Sequence, residues 1–148
     1  MSDRIEKEVL LDAPISRVWQ AISRTEEFGA WFGVNLDGEF AAGKTVRGKI
    51  TTPGYEHLTM EMDVERMDDK RLFSYRWHPH AVDPKIDYSG EPTTLVEFRL
   101  AEAPGGTRLS VTESGFEMIP AGRRAEALRM NEGGWAEQIK KIQRYITR

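Results

Sequence analysis

Leu128, Trp135, Ile139, Ile142 and Ile146 recur at spacings of seven, four, three and four. At about 100° per residue they share one face, which predicts a long amphipathic helix over residues 121–148, opened by Pro120 and uninterrupted by proline. Glu132 and Asn131 flank that stripe, roughly 40° and 60° from its centre. Polar groups this close to a buried face need partners or water. Gly133 and Gly134 sit mid-helix, each costing ~1 kcal/mol relative to alanine, and predict a bend or local loosening. The helix has the character of a lid over a cavity.

Upstream, residues 4–11 read as a strand with Ile5, Val9 and Leu11 on one face and Lys7 among them. Asp12-Ala13-Pro14 signals a helix start, and Ile15, Val18, Trp19 and Ile22 give a short amphipathic helix. Thr25 is placed to cap a second, carrying Phe28, Trp31 and Phe32 and stopped by Gly33. From there the period is two. Strands are predicted over residues 34–36, 45–51, 58–65, 71–77, 93–100 and 108–115, with turns at Asp68-Asp69-Lys70 and Pro104-Gly105-Gly106. Met60, Met62 and Val64 share one face; so do Phe73, Tyr75 and Trp77; Phe98 and Glu113 also fall on inward positions. Tight turns between sequential strands imply an antiparallel meander whose concave face the last helix covers, an α+β architecture. Residues 78–92 form a connection of about fifteen residues where hairpin loops take 2–5, a length typical of binding loops.

The chain has 148 residues, enough for one domain (residues 1–148) with a core and a cavity. A net charge of −3 without basic runs argues against nucleic acid or an anionic membrane as the main partner. With no cysteine, thiol catalysis, disulfides and cysteine-based zinc sites fall away. The charged N-terminus and the lack of an 18-residue apolar run make the cytoplasm the expected location.

The opening strand followed by APISRVWQAISRTEEFGAWFG resembles the start of the START-like helix-grip superfamily (SRPBCC). Within it the chain is similar to bacterial proteins like the C-terminal domain of the Hsp90 ATPase activator. The closing NEGGWAEQIKKIQRYI resembles that group's end signature, and GEFAAGKTVRGKI matches its second and third strands more loosely. The resemblance implies a helix-grip (START/Bet v-like) fold, a curved antiparallel sheet around a long C-terminal helix, with two short helices after strand one. It implies a superfamily of lipid and sterol carriers, hormone receptors and polyketide cyclases, and supplies no catalytic residue set. The eukaryotic co-chaperone carries a further N-terminal domain that these 148 residues do not contain, so chaperone stimulation is not carried over.

Trp31, Phe32, Met60, Met62, Phe73, Tyr75, Trp77, Phe98 and Trp135 are the expected pocket wall, since aromatic and methionine side chains line a wedge between sheet and helix adaptably. The same residues would equally fill a solid core. Glu113, Asn131 and Glu132, with Lys7, are the polar candidates for orienting a ligand; a buried carboxylate could also serve as general acid or base. His78-Pro79-His80, with Asp83 and Asp87, gives no fixed ligand geometry, and a stable zinc site needs three or four protein ligands, so no metal is expected. No GxSxG, GxGxxG or GxxxxGK[ST] occurs, so no nucleophile elbow, nucleotide or cofactor is expected. The expected function is binding of a small hydrophobic or amphipathic molecule. Cyclase- or hydrolase-type catalysis by pocket carboxylates and a weak protein partner, in a chaperone-associated role, stand as alternatives.

Overall fold

The computed structural model describes residues 4–83 and 85–147. Its elements run β1 (Ile5–Leu11), α1 (Ile15–Ser23), α2 (Thr25–Phe32), β2 (Val34–Asp37), β3 (Thr45–Ile50), β4 (Thr59–Asp68), β5 (Leu72–Trp77), β6 (Thr94–Ala103), β7 (Gly106–Ser114), a short 3₁₀ turn (Phe116–Met118) and α3 (Ala121–Ile146). The strands form one antiparallel sheet in the order β1-β7-β6-β5-β4-β3-β2. β2 to β7 are sequential neighbours, and the α1–α2 excursion carries the chain from one edge strand to the other. A seven-stranded sheet with a long helix across its inner face is the helix-grip arrangement. No helix among the described residues is long and apolar enough to cross a membrane.

Local chemistry explains most boundaries. Gly33 ends α2 at φ +98°, a left-handed conformation that side chains resist. Gly29 lets α2 lie against β2, because a Cβ there would come within 2.2 Å of the Val34 carbonyl oxygen. Pro104-Gly105 closes the β6–β7 hairpin, with Ala103 paired to Gly106. Thr25 does not cap α2. It is the first helical residue, and its hydroxyl instead donates to the Gly38 carbonyl at 2.6 Å. β4 and β6 outrun their predicted ends by three residues each, because residues 66–68 and 101–103 do not continue the alternation of buried apolar positions. The 3₁₀ turn was not anticipated, and position 148 of the predicted helix lies outside the described residues.

α3 is unbroken across Gly133 and Gly134, neither of which has positive φ. Its buried positions are Ala127, Trp135, Ile142 and Ile146. The helices are tied together at one corner, where Arg17 of α1 pairs with Glu27 of α2 at 2.5 Å and the Tyr145 hydroxyl of α3 donates to the same carboxylate at 2.9 Å. Burial raises the Glu27 pKa, but the bonds from Arg17 and Tyr145 together outweigh it and hold the carboxyl below its ordinary range.

The interior is filled rather than hollow. Phe28 of α2 is fully buried and inserts its ring between sheet and helix, with centroids 6.4 Å from Phe73, 6.5 Å from Tyr75 and 6.2 Å from Phe98. The gap bounded by Trp31, Phe98, Leu109, Val111, Trp135 and Ile142 has no volume left for a solvent molecule. The cavity expected between these residues is therefore closed, and the open space lies at one end of the wedge.

Candidate functional site

A period of two places Trp77 of β5, Thr94 of β6 and Glu113 of β7 on the inner face at one end of the sheet. The register pairs Trp77 with Thr94 and Val96 with Glu113, so Thr94 and Glu113 are diagonal neighbours. Above them, Asn131 and Trp135 are four residues apart on α3 and face the sheet together. These four side chains enclose the Glu113 carboxylate, which has no exposed surface. The indole N–H of Trp77 and the Thr94 hydroxyl donate to Oε2 at 2.7 and 2.5 Å. The Trp135 indole N–H donates to Oε1 at 2.8 Å, and the Asn131 amide nitrogen reaches Oε1 and Oε2 at 3.0 and 3.2 Å.

Two of these donors are indoles, which cannot accept, so the cage suits the lone pairs of a carboxylate. No lysine or arginine among the described residues pairs with it; Lys7 lies opposite Val111 on the edge strand instead. Nearby, the fully buried Tyr75 hydroxyl has no partner among the described residues. Burial pushes its pKa well above the ordinary phenol value, and the Glu113 charge adds to the effect.

Beside this cage is a cleft of about 380 Å³. Its floor is Phe32, Ile50, Leu58, Met60 and Trp77, and its far wall is the long loop after β5, through His78, His80, Ala81, Val82, Tyr88 and Ser89. That loop is pinned to the first turn of α3. Arg123 donates to Glu91 Oε1 at 2.9 Å and to the His80 carbonyl at 3.3 Å, and its guanidinium stands 4.7 Å from the Tyr88 ring centroid. His78 Nε2 donates to the Glu91 carbonyl at 3.1 Å, an acceptor that fixes which ring nitrogen carries the proton. His80 is held at φ +50°, and burial lowers its pKa below the ordinary histidine value, with Arg123 and Arg129 adding to burial and Glu126 opposing it.

Two smaller spaces meet the cleft around Phe32. One, of about 120 Å³, is lined by Phe32, Trp77, Asn131, Gly134, Trp135 and Gln138. The other, of about 210 Å³, runs past Gly33, Thr52, Tyr55 and Gln138.

Of the residues singled out in the sequence, Phe32, Met60 and Trp77 line the cleft, and Asn131 and Trp135 join Phe32 and Trp77 around the small chamber. Met62, Phe73, Tyr75 and Phe98 pack in the core around Phe28, and Trp31 lies beside them with its indole N–H donating to the Ala21 carbonyl at 2.8 Å. Glu113 is sealed in its cage. Glu132 corrects the expectation of a cavity-facing carboxylate. It is exposed, on the flank of α3 toward β1, in an open surface depression of about 450 Å³ shared with Lys7, Arg129 and Gly133. The reason is angular: a residue three positions back from Trp135 is turned by about 60° from it, toward the β1 flank, whereas Asn131, four back, is turned about 40° the other way, toward Glu113.

Sequence reasoning passed over Thr94 and Gln138. The signal for each was present, since Thr94 is two residues before inward-facing Val96 and Gln138 lies three beyond Trp135 and seven beyond Asn131.

The family model described as activator of Hsp90 ATPase homolog 1-like protein matches residues 12–147. No curated protein matches the chain. Among solved structures it is similar to protein MLL2253 from Mesorhizobium loti, with 20% identity, a TM-score of 0.74, and 95% of this chain covering 94% of that one. It is similar to Ms6760 from Mycobacterium smegmatis, with 19% identity, a TM-score of 0.75, and 99% of this chain covering 92% of that one. The Aha1 dimer from Colwellia psychrerythraea aligns at 13% identity and a TM-score of 0.72, with 97% and 95% of the two chains covered. At these identities the likeness shows the helix-grip fold alone. The family match spans both short helices, the whole meander from β2 onward and α3, and the chain belongs to the activator of Hsp90 ATPase homolog 1-like family.

Proposed function

We propose that the protein binds a small apolar or amphipathic molecule in the cleft between β3, β4, α2 and the loop after β5. The observation that carries this reading is the cleft itself. Its volume of about 380 Å³ falls within the ~300–1,000 Å³ typical of ligand sites, in a molecule whose core is otherwise filled. The floor is aliphatic and aromatic, and the polar groups stand at its rim, on the loop and at Thr59 and Glu61 of β4, the arrangement that binds an apolar body and orients it by a few contacts. The Glu113 cage supports the site from behind by fixing Trp77, whose ring walls both the cleft and the chamber. Four donors and the lack of exposed surface keep Glu113 from approaching a substrate, which favours a binding role over carboxylate catalysis.

Titration with the neutral fluorescent probe N-phenyl-1-naphthylamine tests this, together with native mass spectrometry for a co-purified molecule. Leu58→Trp introduces an indole at the half-buried edge of the cleft and should weaken probe binding at least ten-fold while the far-ultraviolet circular dichroism is unchanged. Probe affinity equal in wild type and variant would place the binding elsewhere and refute the proposal.

A further inference from the structure

The small chamber has an unusual wall. Most of the hydrogen-bond donors on it are already committed. The indole N–H groups of Trp77 and Trp135 and the amide nitrogen of Asn131 all point at Glu113. The Gln138 amide nitrogen donates to the Phe32 carbonyl at 3.1 Å. Because a carbonyl only accepts, this bond fixes the orientation of the Gln138 amide and leaves its Oε1 as the free atom. That Oε1 is buried and has no partner among the described residues. A buried acceptor without a donor is costly, and retained ones call for an explanation.

Gly134 supplies the second observation. It lines the same chamber, and a Cβ built on it would meet nothing within 4 Å. Packing against protein therefore does not require glycine there, yet any side chain would project into the space beside Gln138. Asn131, Gly134 and Gln138, at positions i, i+3 and i+7 of α3, form one stripe facing it.

We infer that this chamber is the head-group subsite of the cleft and takes a neutral hydrogen-bond donor, a hydroxyl or phenol, on an otherwise apolar ligand. The inference rests on the cleft being a binding site, and it adds the chemistry of the ligand. The body lies between Phe32, Met60 and Trp77, and the donor enters the chamber and bonds Gln138 Oε1, reached by a small shift of that side chain into the room beside Gly134. With the Trp77, Asn131 and Trp135 donors turned to the Glu113 carboxylate and that like charge directly behind the wall, a carboxylate or phosphate is disfavoured there. Glu113 acts here at one remove, as a positioning residue that draws the donors of Trp77, Asn131 and Trp135 away from the ligand.

The test compares three probes by isothermal titration: para-butylphenol, its methyl ether and para-butylbenzoate. The phenol should bind about ten-fold or more tightly than either of the others, the scale of restoring one bond to a buried acceptor. Gln138→Met removes the acceptor at similar volume and should bring phenol and ether to within about two-fold of each other. Gly134→Leu, for which the space is open, should fill the chamber and weaken phenol binding about ten-fold in a folded protein. Equal affinity for all three probes, lost on Leu58→Trp, would leave the cleft standing and overturn the subsite. A phenol preference that survives Gln138→Met would overturn it too. If none of the three binds, the subsite falls together with the cleft reading.

Discussion

Replacing Glu113 with glutamine changes one oxygen of the caged carboxylate into an amide nitrogen, and the geometry decides which. If the nitrogen takes the place of Oε1, it faces the Trp135 N–H and the Asn131 amide nitrogen, two donors at 2.8 and 3.0 Å. If it takes the place of Oε2, the Thr94 hydroxyl can turn and accept, and only the Trp77 N–H is stranded. The second orientation is the cheaper. A stranded buried donor costs about 1–3 kcal/mol, at the low end for half-buried Trp77, and each surviving bond loses about 1 kcal/mol on passing from charge-assisted to neutral. Relief from burying a carboxylate acts in the opposite direction. The expected net loss is about 2–4 kcal/mol. Urea unfolding followed by circular dichroism would show it as a midpoint lowered by about 2 M at a slope of roughly 1.5 kcal/mol/M. The indole N–H resonances of Trp77 and Trp135 should move in the same variant, Trp77 the more. A loss below 1 kcal/mol with both resonances unmoved would refute the idea that this carboxylate joins sheet to helix.

Gly133→Ala and Gly134→Ala should each stabilise the protein by up to ~1 kcal/mol, since both glycines are helical and an added Cβ meets nothing within 4 Å; thermal unfolding that shows a loss would mean the helix is not regular there. His80 should titrate below 6.5 by nuclear magnetic resonance, because burial disfavours its charged form. Folding then favours neutral His80, so its contribution is complete above the unfolded value near 6.5 and is lost as pH falls through the folded pKa. Amide exchange in residues 78–92, corrected for intrinsic rates, should accelerate over that range, and a His80 midpoint at or above 6.5 would count against it.

Periodicity alone was enough to find the meander and the closing helix. Thr59 to Val64 alternates strictly, and the Trp135 stripe is a one-face pattern, so each element announces the side it buries. The GGW segment added the family. Glu113 was legible as a polar residue on an inward position, and Asn131 as one beside the stripe, because period and helical angle fix direction without any knowledge of the partner.

What the pattern could not supply was distance. Phe28 reads as one more apolar residue on a short helix, and only the tertiary structure shows its ring filling the wedge where a cavity was expected. Glu132 and Asn131 are adjacent and nearly equally close to the stripe, yet one is exposed beside Lys7 and the other bonds Glu113, because they flank the stripe on opposite sides and only one side meets the caged carboxylate. Conversion of four separate donors into a single cage required β5, β6, β7 and α3 to converge at one end of the sheet. The same convergence turned the Trp77, Asn131 and Trp135 donors to Glu113, away from the buried Gln138 oxygen. The sequence determines which faces are buried, since hydrophobic period is a local property of the chain. How closely those faces approach, and which polar groups are satisfied when they do, is set by packing between residues more than a hundred positions apart, such as Phe32 and Gln138.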